Sequence, residues 1–142
     1  MFRSVTNDLM VSPQIGLDAV AEAKALGVTL IINNRPEGES EDQVPGADIE
    51  AAAQAAGLKY VAIPITHSGF SQPQVEAMVA ALQGAEGKVL AYCRSGTRST
   101  LLWALAESAQ GGDPDSLTNM AAKAGYDVAP VRPLMDMLKA QA

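Results

Sequence analysis

Cysteine and histidine are nearly absent: the chain has one of each in 142 residues. A lone cysteine excludes an internal disulfide and fits a reducing compartment. One His and one Cys without a carboxylate cluster do not make a zinc site, so no metal and no cofactor is expected. Excess positive charge is missing as well. Lys and Arg number 10 against 16 Asp and Glu, a net charge of −6. That balance argues against a general nucleic-acid or anionic-membrane binder. An anionic substrate must then be drawn in by a local field, for which Arg94 and Arg98 are the candidates. No apolar run approaches the length of a membrane span. The first residues, Met1 to Asp8, lack the apolar stretch of a secretory signal. The expected location is cytoplasmic, with neither nucleic acid nor membrane as partner.

The length fits one domain over 1–142 with a real core. Gly and Pro are scattered as punctuation, without repeats. Strand and helix patterns alternate along the chain. Leu9–Val11 is a short strand candidate, and Gly16–Leu26 is helix-like with Gly27 as its stop. Val28–Ile32 is a continuous apolar run, as expected of a strand covered on both faces. Asn33–Gly46 is a polar loop, Ala47–Ala56 an alanine-rich helix, and Tyr60–Ile65 a β-branched strand. Ser71 is placed to cap the next helix, with Pro73 in its first turn. Lys88–Tyr92 is another strand, followed by a helix from about Ser99 to Ala109. Asp113-Pro114 opens a helix ending near Gly125, and Arg132–Lys139 is the last. This alternation predicts an α/β fold with a mostly parallel sheet of four or five strands, flanked by helices on both faces. In such sheets ligands bind beyond the carboxyl ends of the strands. The Asn33–Val44, Thr66–Phe70 and Cys93 loops are expected to converge there.

The cysteine stands in Tyr92-Cys93-Arg94-Ser95-Gly96-Thr97-Arg98-Ser99. An apolar strand ends at Cys93, a small-residue turn follows, and then a helix opens. A thiol facing loop amides and a helix N-terminus is held where its anion is stabilised. The same loop is an anion cradle. Thiolate and cradle together mean covalent chemistry on a phosphoryl or sulfur group.

Cys-Arg-Ser-Gly-Thr-Arg-Ser resembles the active-site loop of rhodanese-type sulfurtransferases. Ile31-Ile32-Asn33-Asn34-Arg35-Pro36-Glu37-Gly38-Glu39 and Gly57-Leu58-Lys59-Tyr60-Val61-Ala62-Ile63-Pro64-Ile65 resemble the dual-specificity protein tyrosine phosphatases. Over roughly residues 5 to 138 the chain resembles a small bacterial family, the β-lactamase-hydrolase-like protein phosphatase-like domain. The segments that carry this are Asn33-Asn34-Arg35-Pro36, Thr66-His67-Ser68-Gly69-Phe70 and the Cys93 loop. The resemblance implies a tyrosine-phosphatase-like fold of the dual-specificity type. Relatives of the domain also occur fused to metallo-β-lactamase-like enzymes that act on persulfides, which implies a separate partner of that kind.

Loop length separates the two chemistries at this level. Tyrosine phosphatases place one residue more between the nucleophile and the arginine that grips phosphate bidentately. Here the arginine comes one position early, at Arg98, and Ser99 takes the usual place. A shorter loop suggests a smaller cavity, better suited to a single sulfur atom. The loop after Ile65 also lacks the carboxylate that serves such phosphatases as general acid. Sulfur transfer needs less of one, because a thiolate leaves easily. The first expectation is therefore a sulfurtransferase in which Cys93 takes a sulfane sulfur from thiosulfate or glutathione persulfide and passes it on. The alternative is a phosphatase acting on a phosphorylated substrate through a Cys93 phosphoenzyme. A second alternative is a non-catalytic module that binds an anion or senses reactive sulfur.

Cys93, Arg98 and Ser99 are the candidate catalytic residues, with Ser99 expected to hydrogen-bond the cysteine sulfur. Arg94, Ser95, Gly96, Thr97, His67 and Arg35 are the candidate anion-binding residues. Each has a plainer reading. A lone Cys can be a buried small hydrophobe, and Gly96 a turn residue. Arg98 can be a surface helix residue, and His67, the proton donor within reach, a solvated loop histidine. Arg35 can be a loop cation paired with Glu37 or Glu39. Glu37, Glu39, Glu41 and Asp42 read as a solvated acidic loop, and Trp103 reads as core.

Overall fold

A computed structural model describes all 142 residues. Five strands form one sheet: β1 (Arg3–Ser4), β2 (Leu9–Ser12), β3 (Val28–Asn33), β4 (Lys59–Ala62) and β5 (Lys88–Tyr92). Their order is β1-β2-β5-β3-β4, with only the β1–β2 pair antiparallel. The six helices are α1 (Asp18–Ala25), α2 (Gly46–Ala55), α3 (Gln72–Gly84), α4 (Thr97–Ala109), α5 (Pro114–Lys123) and α6 (Arg132–Gln141). The mostly parallel α/β sheet expected from the alternation is therefore present. Two calls shift. The two-residue β1 was not legible, because a run that short carries no periodicity. The helix after the site begins at Thr97 rather than Ser99, since Gly96 takes a left-handed φ of +91° and turns the chain directly into it.

Helices cover both faces of the sheet. On one side Val11, Ile32, Val89 and Ala91 pack with residues of α3 to α6, among them Met78, Leu102, Trp103, Leu105, Leu117 and Met135. On the other, Ile31, Leu90 and Tyr92 pack with Ala19, Val20 and Ala23 of α1 and with Ile49 and Ala53 of α2. Alternate residues of β3 and β5 thus face opposite layers, which explains their unbroken apolar runs. Helix α4 is the most enclosed: Ser99 to Ala106 are all buried, and Trp103 sits in the core as read from sequence. Helix starts follow the local chemistry. Ser71 caps α3 in a reciprocal capping box with Gln74, and Asp113 caps α5 ahead of Pro114. Helix α2 has no side-chain cap at its Pro45 N-cap. Glu37 serves instead from the preceding loop, accepting the Gly46 N–H at 2.6 Å.

Register decides where the loops begin. Tyr92 pairs with Ser12 on one side and Asn33 on the other, and Asn33 pairs with Ala62. Four strands therefore end at one level. Backbone bonds carry the alignment past the sheet: Asn34 N–H to Tyr92 O, Ile63 N–H to Asn33 O, and Ile65 N–H to Asn34 O. No helix is long and apolar enough to cross a membrane.

Leu102, fully buried in α4, tests how far this packing supports the site. Leu102→Ala is expected to lower stability by about 3 kcal/mol in urea denaturation. A loss under about 1 kcal/mol would mean that α4 is not held by its core face.

Candidate active site

Strand β5 delivers Cys93 to the carboxyl edge of the sheet, where it is fully buried. Its Sγ accepts the Gly96 N–H at 3.1 Å. The Arg94 carbonyl accepts from the Gln14 N–H at 3.2 Å, which ties the loop to the segment after β2. Thr97 N–H donates to Ser95 Oγ, and Ser95 Oγ–H donates to Thr97 Oγ1 at 3.0 Å. Thr100 folds its hydroxyl back onto the Gly96 carbonyl at 2.8 Å. The N–H groups of Arg94, Ser95, Arg98 and Ser99 make no hydrogen bond within the protein. Loop and first helical turn thus present a set of free donors beside the thiol.

Arg98 closes the site. Its guanidinium grips Glu39 with two parallel bonds, Nη1 to Oε2 at 2.7 Å and Nη2 to Oε1 at 2.8 Å. Nη1 also donates to the Ile65 carbonyl at 2.8 Å. Arg98 therefore joins the Cys93 loop, the Asn33–Val44 loop and the start of the Thr66–Phe70 loop. The convergence expected from the fold class takes place through this one side chain. Arg35 approaches Glu39 from the other side, with Nε to Oε1 at 3.0 Å. Its remaining donors go to Gln14 Oε1 at 3.0 Å and Ser40 Oγ at 3.1 Å. Arg35 is 4% exposed, so it has left the surface with all three nitrogens satisfied. Of the two partners considered for it, Glu39 is the one it takes.

Glu39 is not the solvated loop acid expected from its neighbours. Its side chain is 16% exposed and carries two arginines. Arg98 first, and then Arg35, hold its carboxyl down to about 2 against the opposing effect of burial. Glu39 in turn raises Arg98, which stays fully charged. The acidic-loop reading failed because Glu39 belongs to a run of like residues in sequence. Only the spacing of four from Arg35 hinted at a partner.

Ser99 also departs from expectation. It is fully buried, but its hydroxyl donates to Asn34 Oδ1 at 2.7 Å instead of to the cysteine sulfur. Asn34 passes the link on, its Nδ2 donating to the Ile63 carbonyl at 3.0 Å. Helical geometry points the Ser99 side chain toward β3, so it fastens α4 to the sheet. Asn34 and Gln14 are site-supporting residues that carry no chemical signal in the sequence. Arg94, Ser95 and Thr97 are exposed, and the Arg94 side chain makes no hydrogen bond. Its charge lies near enough to Asp42 to contribute, after the Ser40 hydroxyl, to lowering that carboxyl. His67 is exposed and unbonded, two residues beyond the carbonyl that Arg98 holds.

The family model described as Beta-lactamase hydrolase-like protein, phosphatase-like domain, matches residues 1–110. A Beta-lactamase hydrolase-like protein of Xylella fastidiosa is 38% identical over 108 residues, covering 75% of this chain. This chain spans about a quarter of the length of that relative. A solved structure of a candidate phosphatase from Neisseria meningitidis is 32% identical, covers 96% of each chain, and superposes with a TM-score of 0.83. The core catalytic domain of the S. cerevisiae PP-IP phosphatase SIW14 covers 96% of this chain and 83% of its own, with a TM-score of 0.72 at 13% identity. That last likeness concerns the fold alone. These matches overturn the sulfurtransferase expectation, since family and neighbours are phosphatase-like. The expectation rested on counting loop residues, and a count measures contour rather than donors. The shorter loop still presents four free N–H groups and a guanidinium beside Cys93.

The Glu39 pairing sets a pH dependence. A carboxyl lowered from its ordinary 4.5 to about 2 stabilises the fold fully above about pH 4.5, and that stability is lost as pH falls toward 2. Glu39→Gln is expected to cost about 3 kcal/mol near neutral pH, because it strands the buried Arg35 charge. The difference from wild type, followed by urea denaturation, should shrink steadily below pH 4.5. A gap that does not vary with pH would show that ionised Glu39 contributes nothing.

Proposed function

We propose that this chain, which belongs to the family of Beta-lactamase hydrolase-like protein phosphatase-like domains, is a cysteine-dependent phosphatase acting on phosphomonoesters. The observation that carries the reading is the Cys93 sulfur, 3.1 Å from the Gly96 amide, in a loop whose remaining free N–H groups and Arg98 suit a phosphoryl group. Cys93 is fully buried, so the sulfur is reached only when the side chains over it part. A phosphate dianion has the charge and fork geometry to compete with Glu39 for Arg98. Arg94, exposed next to Cys93 in the chain and without a side-chain partner, supplies a local attraction in a protein that is acidic as a whole.

The Cys93 thiolate attacks phosphorus. An S–P bond forms as the P–O ester bond breaks, and the departing oxygen takes a proton to leave as an alcohol or phenol. Water then attacks the phosphocysteine, the S–P bond breaks, and inorganic phosphate leaves with the thiolate restored. The equatorial oxygens of each transition state gain hydrogen bonds from the loop amides and Arg98. Glu39 is ionised at any working pH and has no proton to donate to the leaving oxygen. His67, on the loop that Arg98 ties down, is the residue assigned that role. Cytoplasmic location and phosphorylated substrates belong to the same reading, whereas a metallo-β-lactamase-like, persulfide-processing partner is proposed from the family resemblance alone.

An aryl phosphate such as p-nitrophenyl phosphate is the direct test. Cys93→Ser is expected to abolish turnover, and Arg98→Lys to lower kcat/KM about a hundredfold. Turnover that survives Cys93→Ser, or none in the wild-type protein with aryl and alkyl phosphates alike, would refute the phosphatase reading. The leaving-group role has its own signature. His67→Asn should slow phenyl phosphate, whose leaving oxygen needs a proton, at least about tenfold more than p-nitrophenyl phosphate. Equal slowing of both would remove His67 from the proton transfer.

A further inference from the structure

Tyr126 lies beyond the residues matched by the family model and outside every helix, in the segment after α5. Its hydroxyl donates to the Ser95 carbonyl at 3.1 Å. Because a trans peptide is planar, its carbonyl and its N–H point in opposite directions. The N–H of the Ser95–Gly96 peptide is the one that donates to Cys93 Sγ. One peptide plane is therefore held at both ends, by Tyr126 on the outside and by the sulfur on the inside.

That plane needs holding. Gly96 has φ +91°, and because a glycine tolerates either sign of φ, its own sterics do not fix whether the carbonyl or the N–H of this peptide faces the sulfur. A carbonyl facing a thiolate repels it, and an N–H stabilises it. Tyr126 is fitted closely to this spot, since a Cβ on Gly96 would collide with its hydroxyl. The ring is fixed in turn. The Arg3 guanidinium lies over it, 5.6 Å from the ring centre, and Arg3 Nη1 is bonded to the Ala124 carbonyl at 3.1 Å. Burial raises the Tyr126 phenol above its ordinary value, which keeps the proton it donates.

We infer that Tyr126 is a positioning residue that locks the Ser95–Gly96 peptide with its N–H toward Cys93 and so favours the thiolate. The inference rests on Cys93 as nucleophile, but its readout needs no substrate. The charged and titratable groups around the sulfur are Arg98 on α4 and Tyr126, with Arg94 next to Cys93 in the chain and Glu39 and Arg35 behind Arg98. Tyr126→Phe changes only the hydroxyl and keeps the ring under Arg3.

The test is the ultraviolet thiolate absorbance of the single cysteine, titrated against pH with Cys93→Ser as blank, alongside thermal unfolding. Tyr126→Phe is expected to raise the titration midpoint by about half a pH unit or more, which is about a threefold lower thiolate fraction below the midpoint. An unchanged midpoint, whatever happens to the melting temperature, would overturn the inference and leave Tyr126 a packing residue. Should that variant fail to fold, Arg3→Lys keeps the charge but loses the flat guanidinium on the ring. It is expected to shift the midpoint the same way by less, and no shift would overturn the inference equally. A shifted midpoint in a protein without phosphatase turnover would leave Tyr126 assigned and refute only the proposed activity.

Discussion

At the carboxyl edge of the sheet two guanidinium groups share one carboxylate, and the rest of the site is arranged around that pairing. Arg98 comes from the helix that follows the cysteine, Arg35 and Glu39 from the loop after β3, and the Ile65 carbonyl from the chain after β4. Without Glu39 the two arginines would meet as like charges in a largely enclosed space. With it, three loops that share no secondary structure have one fixed relative position. The fork geometry that holds Glu39 is also the geometry that suits a phosphoryl group. The same side chain thus keeps the site in shape and supplies its chief cation.

The cysteine is placed by a different constraint. Cys93 must follow a strand buried on both faces and precede a helix buried nearly all round, and both are rigid. The loop between them is short, and a single left-handed glycine turns it. Between these two elements the joint is the Ser95–Gly96 peptide, bonded at both ends. The contacts of Tyr126 and Arg3 bear on that joint, from residues far away in the chain.

Much of this could be read from residue order. The strand Lys88–Tyr92 and the caps at Ser71 and Asp113 came from local chemistry, because alternation, capping and chain reversal act over a few residues. The cysteine loop was legible for the same reason. Its thiol, its glycine and its arginine lie within six consecutive residues, and an anion cradle is a local object. Loop length proved a poor guide to the chemistry, since backbone donors from a helix turn do not disappear when one residue is removed.

Sequence by itself determined the fold class and placed the cysteine and the arginine five residues on at the turn from a strand into a helix, all through short-range pattern. Tertiary structure alone decided that Glu39 is the shared partner of two arginines and not one acid among several on a wet loop. It decided that Ser99 binds Asn34 and not the sulfur, and that Tyr126 reaches the site at all. The physical reason is common to the three. A hydrogen bond or ion pair between residues 31 to 65 positions apart has no periodicity, and it exists only once the sheet register has brought both ends to one edge.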